Sequence, residues 1–193
     1  MKSLYKRIQV TVLATLALLL VVGGSVAYAA PGGYRLPFSG YAEISAGPRC
    51  NQHYGQDQEA IDFVMQPGRQ ILASKSGVAY FYPNTWPGGN MVKIYHSDGL
   101  HSTYAHLSSF EATKYWYYTH YYTNGLWVNQ GEVIGYAGST GNSTGTHLHF
   151  SVNRSNNSAV VIYDLPGIRW WISNVANRWS CTIDGRNEGS GSG

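Results

Sequence analysis

Residues 138–150 read Gly-Ser-Thr-Gly-Asn-Ser-Thr-Gly-Thr-His-Leu-His-Phe, a turn-forming run that leads into a short strand with two histidines. Side chains of a β-strand alternate between its two faces, so His147 and His149 share one face. Leu148 and Phe150 then lie on the opposite face, towards a core. Neutral imidazole is the commonest protein ligand of zinc. Two solvated histidines on a polar strand face explain the motif equally well, so its meaning depends on partners elsewhere in the chain.

The composition predicts one mainly β domain. The chain has 193 residues, of which 44% are apolar and only 12% are charged. That length is enough for one domain with a proper hydrophobic core. Gly (23), Tyr (16) and Trp (6) are abundant, and this mixture favours strands and turns over long helices. We therefore expect an antiparallel β fold with few, short helices.

The first 29 residues have the pattern of a signal peptide. Lys2, Lys6 and Arg7 precede an apolar run at residues 10–22, and the small-x-small sequence at residues 27–29 fits a signal peptidase site. The apolar run is shorter than the roughly 20 residues that a membrane span needs. We expect an exported protein, in the cell wall or periplasm, with no stable membrane anchor after cleavage.

Charge argues against a nucleic-acid partner. The leader holds three of the 13 basic residues and none of the 10 acidic ones, so the mature chain is close to neutral. A nucleic-acid site needs clustered lysine and arginine. The sequence therefore predicts no nucleic-acid binding.

Two cysteines, Cys50 and Cys181, lie near the two ends of the mature chain. In an oxidising compartment this count indicates one disulfide. Two buried free thiols are the alternative, and zinc ligation by this pair is disfavoured because neither cysteine has a Cys-x-x-Cys neighbour.

A second polar cluster begins at His53 and extends into an apolar strand predicted at residues 60–65. It contains His53, Asp57, Glu59 and Asp62, and Asp62 is the one charge inside the predicted strand. An unpaired carboxylate in such a strand is costly, so Asp62 needs a partner, and a metal ion is one.

The strand predicted at residues 100–107 adds another histidine. Strict alternation places Tyr104 and His106 on one face of that strand, which makes His106 a candidate for the same site. Zinc sites with three histidine or carboxylate ligands keep a fourth position for water, as hydrolases require.

The remaining segments carry less chemistry. Residues 30–48 are predicted to be an extended leading segment laid over the core, 49–155 the domain core, 156–188 a C-terminal extension and 189–193 a flexible tail. The stretch 110–124 is an aromatic-rich insertion, predicted as a loop that packs against the body or offers a platform to a ligand.

An ordered series of motifs resembles the M23 peptidases, the lysostaphin-type and LytM-type zinc endopeptidases. Besides the His-x-His stretch, the series comprises Asp62-Phe63-Val64-Met65, Gly77-Val78, Gly89-Asn90-Met91-Val92, His96-Ser97-Asp98-Gly99, Tyr104-Ala105-His106-Leu107-Ser108 and Gly131-Glu132-Val133-Ile134-Gly135. The resemblance covers roughly residues 50–153. It implies a mainly antiparallel β fold with a long groove, one zinc ion, and hydrolysis of peptide cross-bridges or stem peptides in bacterial peptidoglycan.

The resemblance also assigns site residues. Asp62 and His149 match two metal ligands, whereas His106 and His147 match the two histidines that polarise water and stabilise the oxyanion. The family's usual first ligand, four residues before the aspartate, is Gln58 here. We assign that role to His53, nine residues before Asp62; the rival register pairs His53 with Asp57.

Other interpretations concern the partner. Tyr104, Tyr115, Trp116 and Asn142 are our candidate substrate-binding residues, for a peptidoglycan peptide bound by a monomer. A catalytically degenerate M23-like module that binds the wall or activates another hydrolase is the alternative function. A carbohydrate-binding β domain rests on aromatic content alone.

We predict a disulfide between Cys50 and Cys181. In the chain-entropy model a loop of this length stabilises the fold by up to about 4 to 5 kcal/mol, because the cross-link restricts the unfolded chain. Thiol titration of the exported protein in denaturant, without reductant, should detect no free thiol. Two titratable thiols would refute the pairing.

Overall fold

The structure is a computed structural model that describes residues 33–50, 52–162, 165 and 167, together with the backbone of residues 175–176, 182–183 and 186–187. The predicted signal peptide, Cys181 and the predicted tail lie outside these described residues. Cys50 is buried. Because Cys181 is not among the described residues, the disulfide between them stays a prediction. Among the described residues, no helix combines the length and apolar character needed to cross a bilayer.

The regular secondary structure of the described chain is almost entirely β-strand. It contains one α-helix, α1 (Ala112–His120), and one short 3-10 turn (Gly55–Asp57). Its strands are β1 (Ala42–Ala46), β2 (Ile61–Val64), β3 (Gln70–Leu72), β4 (Gly77–Thr85), β5 (Gly89–Tyr95), β6 (Leu100–Phe110), β7 (Leu126–Val128), β8 (Val133–Ala137), β9 (His147–Arg154), β10 (Val175–Ala176), β11 (Thr182–Ile183) and β12 (Arg186–Asn187).

One large sheet contains ten of these strands, while β11 and β12 pair with each other in a separate two-stranded sheet. The order of the large sheet is β10-β1-β2-β9-β6-β5-β4-β7, and β8 joins it by pairing with β6 and with β3. The pairings in this sheet are antiparallel, apart from the short parallel contact between β1 and β10. The predicted mainly antiparallel β fold is confirmed.

The long strand β6 bridges two parts of the sheet. One edge pairs with β5, while the other edge pairs first with β9 and then with β8. The consecutive strands β7 and β8 do not form a hairpin with each other, since β7 pairs with β4 and β8 pairs with β3 and β6. Sequence alternation predicted the strands but contained no signal for their partners.

The core lies on one face of the β2–β9–β6 region. Phe63, Leu148, Phe150 and Tyr104 are fully buried there, and the ring of Phe150 lies 5.3 Å from that of Tyr104. Their burial removes large apolar surfaces from water, at about 1.5 to 3 kcal/mol for each aliphatic or phenyl side chain. The alternation predicted for β2 and β9 is confirmed, and it leaves the opposite face of the same strands for polar side chains.

The segment at residues 33–48 contributes side chains to the core and one strand to the sheet. Tyr34, Leu36 and Phe38 are buried, and β1 pairs with β2, which holds Asp62. This segment therefore supports the edge of the strand on which a candidate site residue lies.

The aromatic insertion forms a helix instead of the predicted loop. Glu111 caps the N-terminus of α1, where its carboxylate accepts hydrogen bonds from the backbone N–H groups of Thr113 and Lys114 at 3.2 and 2.8 Å. Such a cap satisfies donors that lack a partner in the first turn. Tyr115 and Tyr118 pack on Phe81, so one side of the helix is anchored to the sheet.

Candidate metal centre

The register of β2 against β9 brings Asp62 and His149 together. The two residues are direct cross-strand partners, and on the core side Phe63 pairs with Leu148. His149 Nδ1 lies 2.8 Å from Asp62 Oδ1, within hydrogen-bonding distance. Residues 87 positions apart in the chain are thus joined by strand pairing.

His53 reaches the same carboxylate from outside the sheet. Its Nδ1 donates a hydrogen bond to the Gly47 carbonyl at 2.8 Å, so the neutral ring carries its lone pair on Nε2. That Nε2 lies 3.2 Å from Asp62 Oδ1, yet it has no hydrogen-bond partner among the described residues. A buried nitrogen lone pair aimed at a carboxylate oxygen is unfavourable unless a cation lies between them.

Three ligand-type atoms therefore converge at one point. One such atom from each of His53, Asp62 and His149 lies within 4.8 Å of the others. Asp57 is outside this cluster, since its Oδ1 lies 3.6 Å from the other nitrogen of His149, Nε2. This geometry favours the register with Asp62 over the rival register with Asp57.

The pKa values of the residues in this cluster depend strongly on one another. Burial alone would raise the pKa of Asp62, but its interactions with His149 and His53 outweigh burial and lower that pKa. Burial alone would lower the pKa of His149, whereas Asp57 and Asp62 raise it to about 10. The protein has concentrated negative charge around an imidazole, which is also an environment that attracts a cation.

His106 enters the site through an irregularity in β6. Tyr104 pairs with Val92 and Leu107 with Asn90, so two residues of β6 face one residue of β5, which defines a β-bulge. His106 has φ +62°, in the left-handed region, and its N–H donates to the Gly88 carbonyl at 2.8 Å. Such a conformation costs a non-glycine residue about 1 to 3 kcal/mol.

Because of the bulge, the His106 side chain lies on the opposite face from the one that strict alternation predicts. Tyr104 lies in the core, and strict alternation would send His106 to the core as well. Instead, the ring of His106 lies 4.6 Å from that of His147 and 6.0 Å from that of His149. The bulge thus brings His106 beside the other two histidines, on the opposite face from Tyr104.

The rings of His106 and His147 are held in matching orientations. His106 Nδ1 donates to the Thr140 carbonyl at 2.8 Å, and His147 Nδ1 donates to the Gly145 carbonyl at 2.9 Å. Each neutral ring therefore presents Nε2 as a proton acceptor. Burial lowers the pKa of His106 to about 4, which keeps this imidazole neutral at neutral pH.

Two interlocked loops support His106. Thr140 Oγ1 donates to the Leu107 carbonyl at 2.7 Å and accepts from Asn90 N–H at 3.0 Å. Asn142 N–H donates to the Pro87 carbonyl at 2.8 Å. Gly141 has φ +74°, and a Cβ there would lie only 2.3 Å from the Pro87 carbonyl oxygen. The glycine-rich run thus permits close backbone approach behind the catalytic candidates.

The candidate substrate-binding residues lie in different surroundings. Tyr104 is fully buried, and its hydroxyl accepts hydrogen bonds from the Ser74 N–H and the Ser102 hydroxyl, so its proposed role in substrate binding is wrong. Tyr115 is half-buried against Phe81 and Phe110. Trp116 is 47% exposed and stacks on His120, while Asn142 is exposed on the loop beside His106.

Sequence reasoning missed three residues near the site. Thr140 orients His106 through its carbonyl, which no side-chain pattern reveals. Asp57 approaches His149, although it was considered only as a rival ligand. Trp86 is 75% exposed on the loop whose Gly88 carbonyl accepts a hydrogen bond from the His106 N–H. The sequence did show a tryptophan within a Pro/Gly-rich loop, which was a usable signal.

The fold and this arrangement of histidines agree with a known family of peptidases. The chain belongs to peptidase family M23, whose family model matches residues 56–161. The prediction made from the motif series is confirmed.

Individual relatives match over part of their length. The DD-carboxypeptidase/endopeptidase Mpg of Neisseria meningitidis serogroup B is 37% identical over 123 residues, covering 62% of this chain and 26% of Mpg. The peptidoglycan DD-endopeptidase ShyA of Vibrio cholerae is 34% identical over 91 residues, covering 47% of this chain and 19% of ShyA. The chain thus spans about a quarter or less of the length of these curated relatives.

A solved structure shows the shared fold. The catalytic domain of the prophage-encoded M23 protein EnpA from Enterococcus faecalis has a TM-score of 0.52 and 24% sequence identity. The match covers 67% of this chain and 95% of that domain.

We predict that Gly141→Ala destabilises the protein by about 2 kcal/mol, because an added Cβ meets the Pro87 carbonyl and the backbone has a positive φ. The matched control is Gly145→Ala in the same loop, where a Cβ would meet no described atom within 4 Å. Urea unfolding of both variants measures the difference. Equal stabilities would show that the interlocked loops tolerate displacement.

Proposed function

We propose that this chain is an exported zinc endopeptidase that hydrolyses peptide bonds in bacterial peptidoglycan, within cross-bridges or stem peptides. The observation that carries the proposal is the convergence of three ligand atoms from His53, Asp62 and His149 beside a pair of histidines that are outside the ligand set. Membership of the M23 family supports the same chemistry.

The residues present fit a zinc ion. His53 Nε2 is buried without a hydrogen-bond partner among the described residues, so it has a lone pair to give to a cation. His149 Nδ1 and Asp62 Oδ1 complete a set of two imidazoles and one carboxylate. Catalytic zinc sites use three such protein ligands and keep one position open. When bound, zinc supplies a Lewis acid that acidifies water and polarises a carbonyl group.

The two other histidines are assigned to proton transfer. The Nε2 atoms of His106 and His147 are free to accept a proton from the attacking water, because both Nδ1 atoms are occupied by backbone carbonyls. A protonated Nε2 then donates a hydrogen bond to the developing oxyanion and passes its proton to the leaving amine when the C–N bond breaks.

Substrate contacts are proposed for exposed groups around this pair. Asn142 lies on the loop that holds His106, and Trp86 lies on the loop that interlocks with it. Exposed tryptophan offers a flat apolar surface to a peptide backbone or side chain. Trp116 on α1 is a more distant candidate, and Tyr115 serves mainly to anchor that helix.

We predict that His53→Ala, Asp62→Ala and His149→Ala each abolish stoichiometric zinc binding, because each removes one of the three ligands. The metal-stripped proteins are reconstituted with one equivalent of zinc, and bound metal is measured after gel filtration. Glu43→Gln, which neutralises an exposed carboxylate on β1, is the control and should bind about one zinc. Full zinc content in any of the three alanine variants would remove that residue from the ligand set.

We predict that His106→Ala and His147→Ala each keep one zinc but lower kcat by about 100-fold or more, because both act on protons and the oxyanion. Digestion of defined peptidoglycan fragments, followed by mass spectrometry, measures the rate and identifies the bond cleaved. Zinc loss from either variant would contradict the division into ligands and proton carriers. Intact fragments after incubation with zinc-loaded wild type would refute the enzyme and favour a binding module.

A further inference from the structure

We propose that Asp57 is a positioning residue for the metal site, whose carboxylate holds the outer nitrogen of His149 and so determines which nitrogen of that ring faces the metal. This inference rests on the proposed zinc site. Asp57 acts through His149 and contributes no ligand atom of its own to the cluster.

The two nitrogens of His149 face two different carboxylates. Nδ1 lies 2.8 Å from Asp62 Oδ1, on the side where His53 converges. Nε2 lies 3.6 Å from Asp57 Oδ1, on the opposite side of the ring. The ring is thus held between an inner carboxylate, which is a ligand, and an outer carboxylate, which is not.

This placement selects one tautomer of the imidazole. A neutral imidazole carries one proton, and a nitrogen that binds a metal must present a lone pair. If Nδ1 binds the metal, the proton resides on Nε2, where Asp57 is the available acceptor. Pairs of this kind fix ring orientation and raise the basicity of the ligating nitrogen.

The backbone around Asp57 is anchored to the strand that bears His149. Asp57 ends the 3-10 turn Gly55–Asp57, and its N–H donates to the Tyr54 carbonyl at 3.1 Å. Its carbonyl accepts from Ala60 N–H at 2.8 Å. Asn153, on β9, donates from its side-chain amide to the Gln56 carbonyl. The turn that carries Asp57 is therefore hydrogen-bonded to β9, the strand that carries His149.

The long connection between the first two ligands gains a function in this way. Eight residues separate His53 from Asp62, and Asp57 lies near their middle. The Asp57 side chain is 39% exposed, so its removal leaves no cavity in the core. Loss of its carboxylate should consequently affect the metal site without unfolding the protein.

Zinc affinity tests the inference directly. Metal-free wild type, Asp57→Asn and Asp57→Ala compete with a chromophoric chelator for zinc, with Glu43→Gln as a control for the loss of one negative charge. We expect Asp57→Ala to raise the Kd for zinc about 10- to 100-fold while it still binds one equivalent at saturation. Asp57→Asn, which retains an acceptor oxygen without the charge, should lie between wild type and Asp57→Ala, and Glu43→Gln should match wild type.

A spectroscopic signature distinguishes positioning from a general structural effect. In the zinc-loaded wild type, ¹H–¹⁵N NMR should show His149 with a slowly exchanging Nε2–H and no proton on Nδ1. Asp57→Ala should lose the slow exchange while the backbone spectrum of the sheet is unchanged. A wild-type Kd for zinc in Asp57→Ala, or an unchanged Nε2–H, would overturn the inference.

Two further results would have separate meanings. If Asp57→Ala loses the stoichiometric site as completely as Asp62→Ala, Asp57 is a direct ligand and the positioning role is wrong. If wild type itself binds no zinc, the proposed function fails first. None of these measurements depends on hydrolysis, so the inactivity of the enzyme on a chosen substrate leaves them interpretable.

Discussion

The pairing of Asp62 with His149 across two antiparallel strands is the constraint on which the site depends. Strand register has a period of two residues, so a slip of one position would turn both side chains towards the core. Phe63 and Leu148 oppose such a slip, because it would expose their buried apolar surface to water. The hydrophobic core therefore sets the positions of polar groups on the other face. His53 joins them from a connecting segment that is fixed by the Gly47 carbonyl.

His106 depends on a different kind of support. Regular pairing would hide its ring, and the bulge with a left-handed φ brings it beside His147. The unfavourable conformation persists because the Gly88 carbonyl holds its N–H and the Thr140 carbonyl holds its ring. Both carbonyls belong to glycine-containing loops that approach each other closely. Backbone strain at a proton-transfer residue is thus balanced by loop packing, as is common where a functional side chain must be redirected.

The sequence predicted those features that follow from local periodicity. Alternation placed Asp62, His147 and His149 on polar strand faces, and the motif series pointed to His106. His53 was assigned separately, because the family's usual ligand position holds Gln58 in this chain. Periodicity failed where tertiary contacts override it: the bulge reverses the face of His106, and Tyr104 lies in the core. The aromatic run at residues 112–120 resembled a loop because tyrosine and tryptophan have modest helix propensity. Its helix depends on the Glu111 cap and on packing against Phe81, and neither contact is visible as a repeat in the sequence.

The separation of 87 residues between Asp62 and His149 also affects when the two residues can come together during folding. Contacts between residues this far apart in the chain form late. Closing such a long loop costs conformational entropy before strand pairing stabilises the contact. An unfolded chain has β2 and β9 far apart, and so its ligand residues are not assembled. The three ligand atoms therefore come together only when the sheet is complete. The topology thereby couples assembly of the candidate metal centre to folding of the whole sheet.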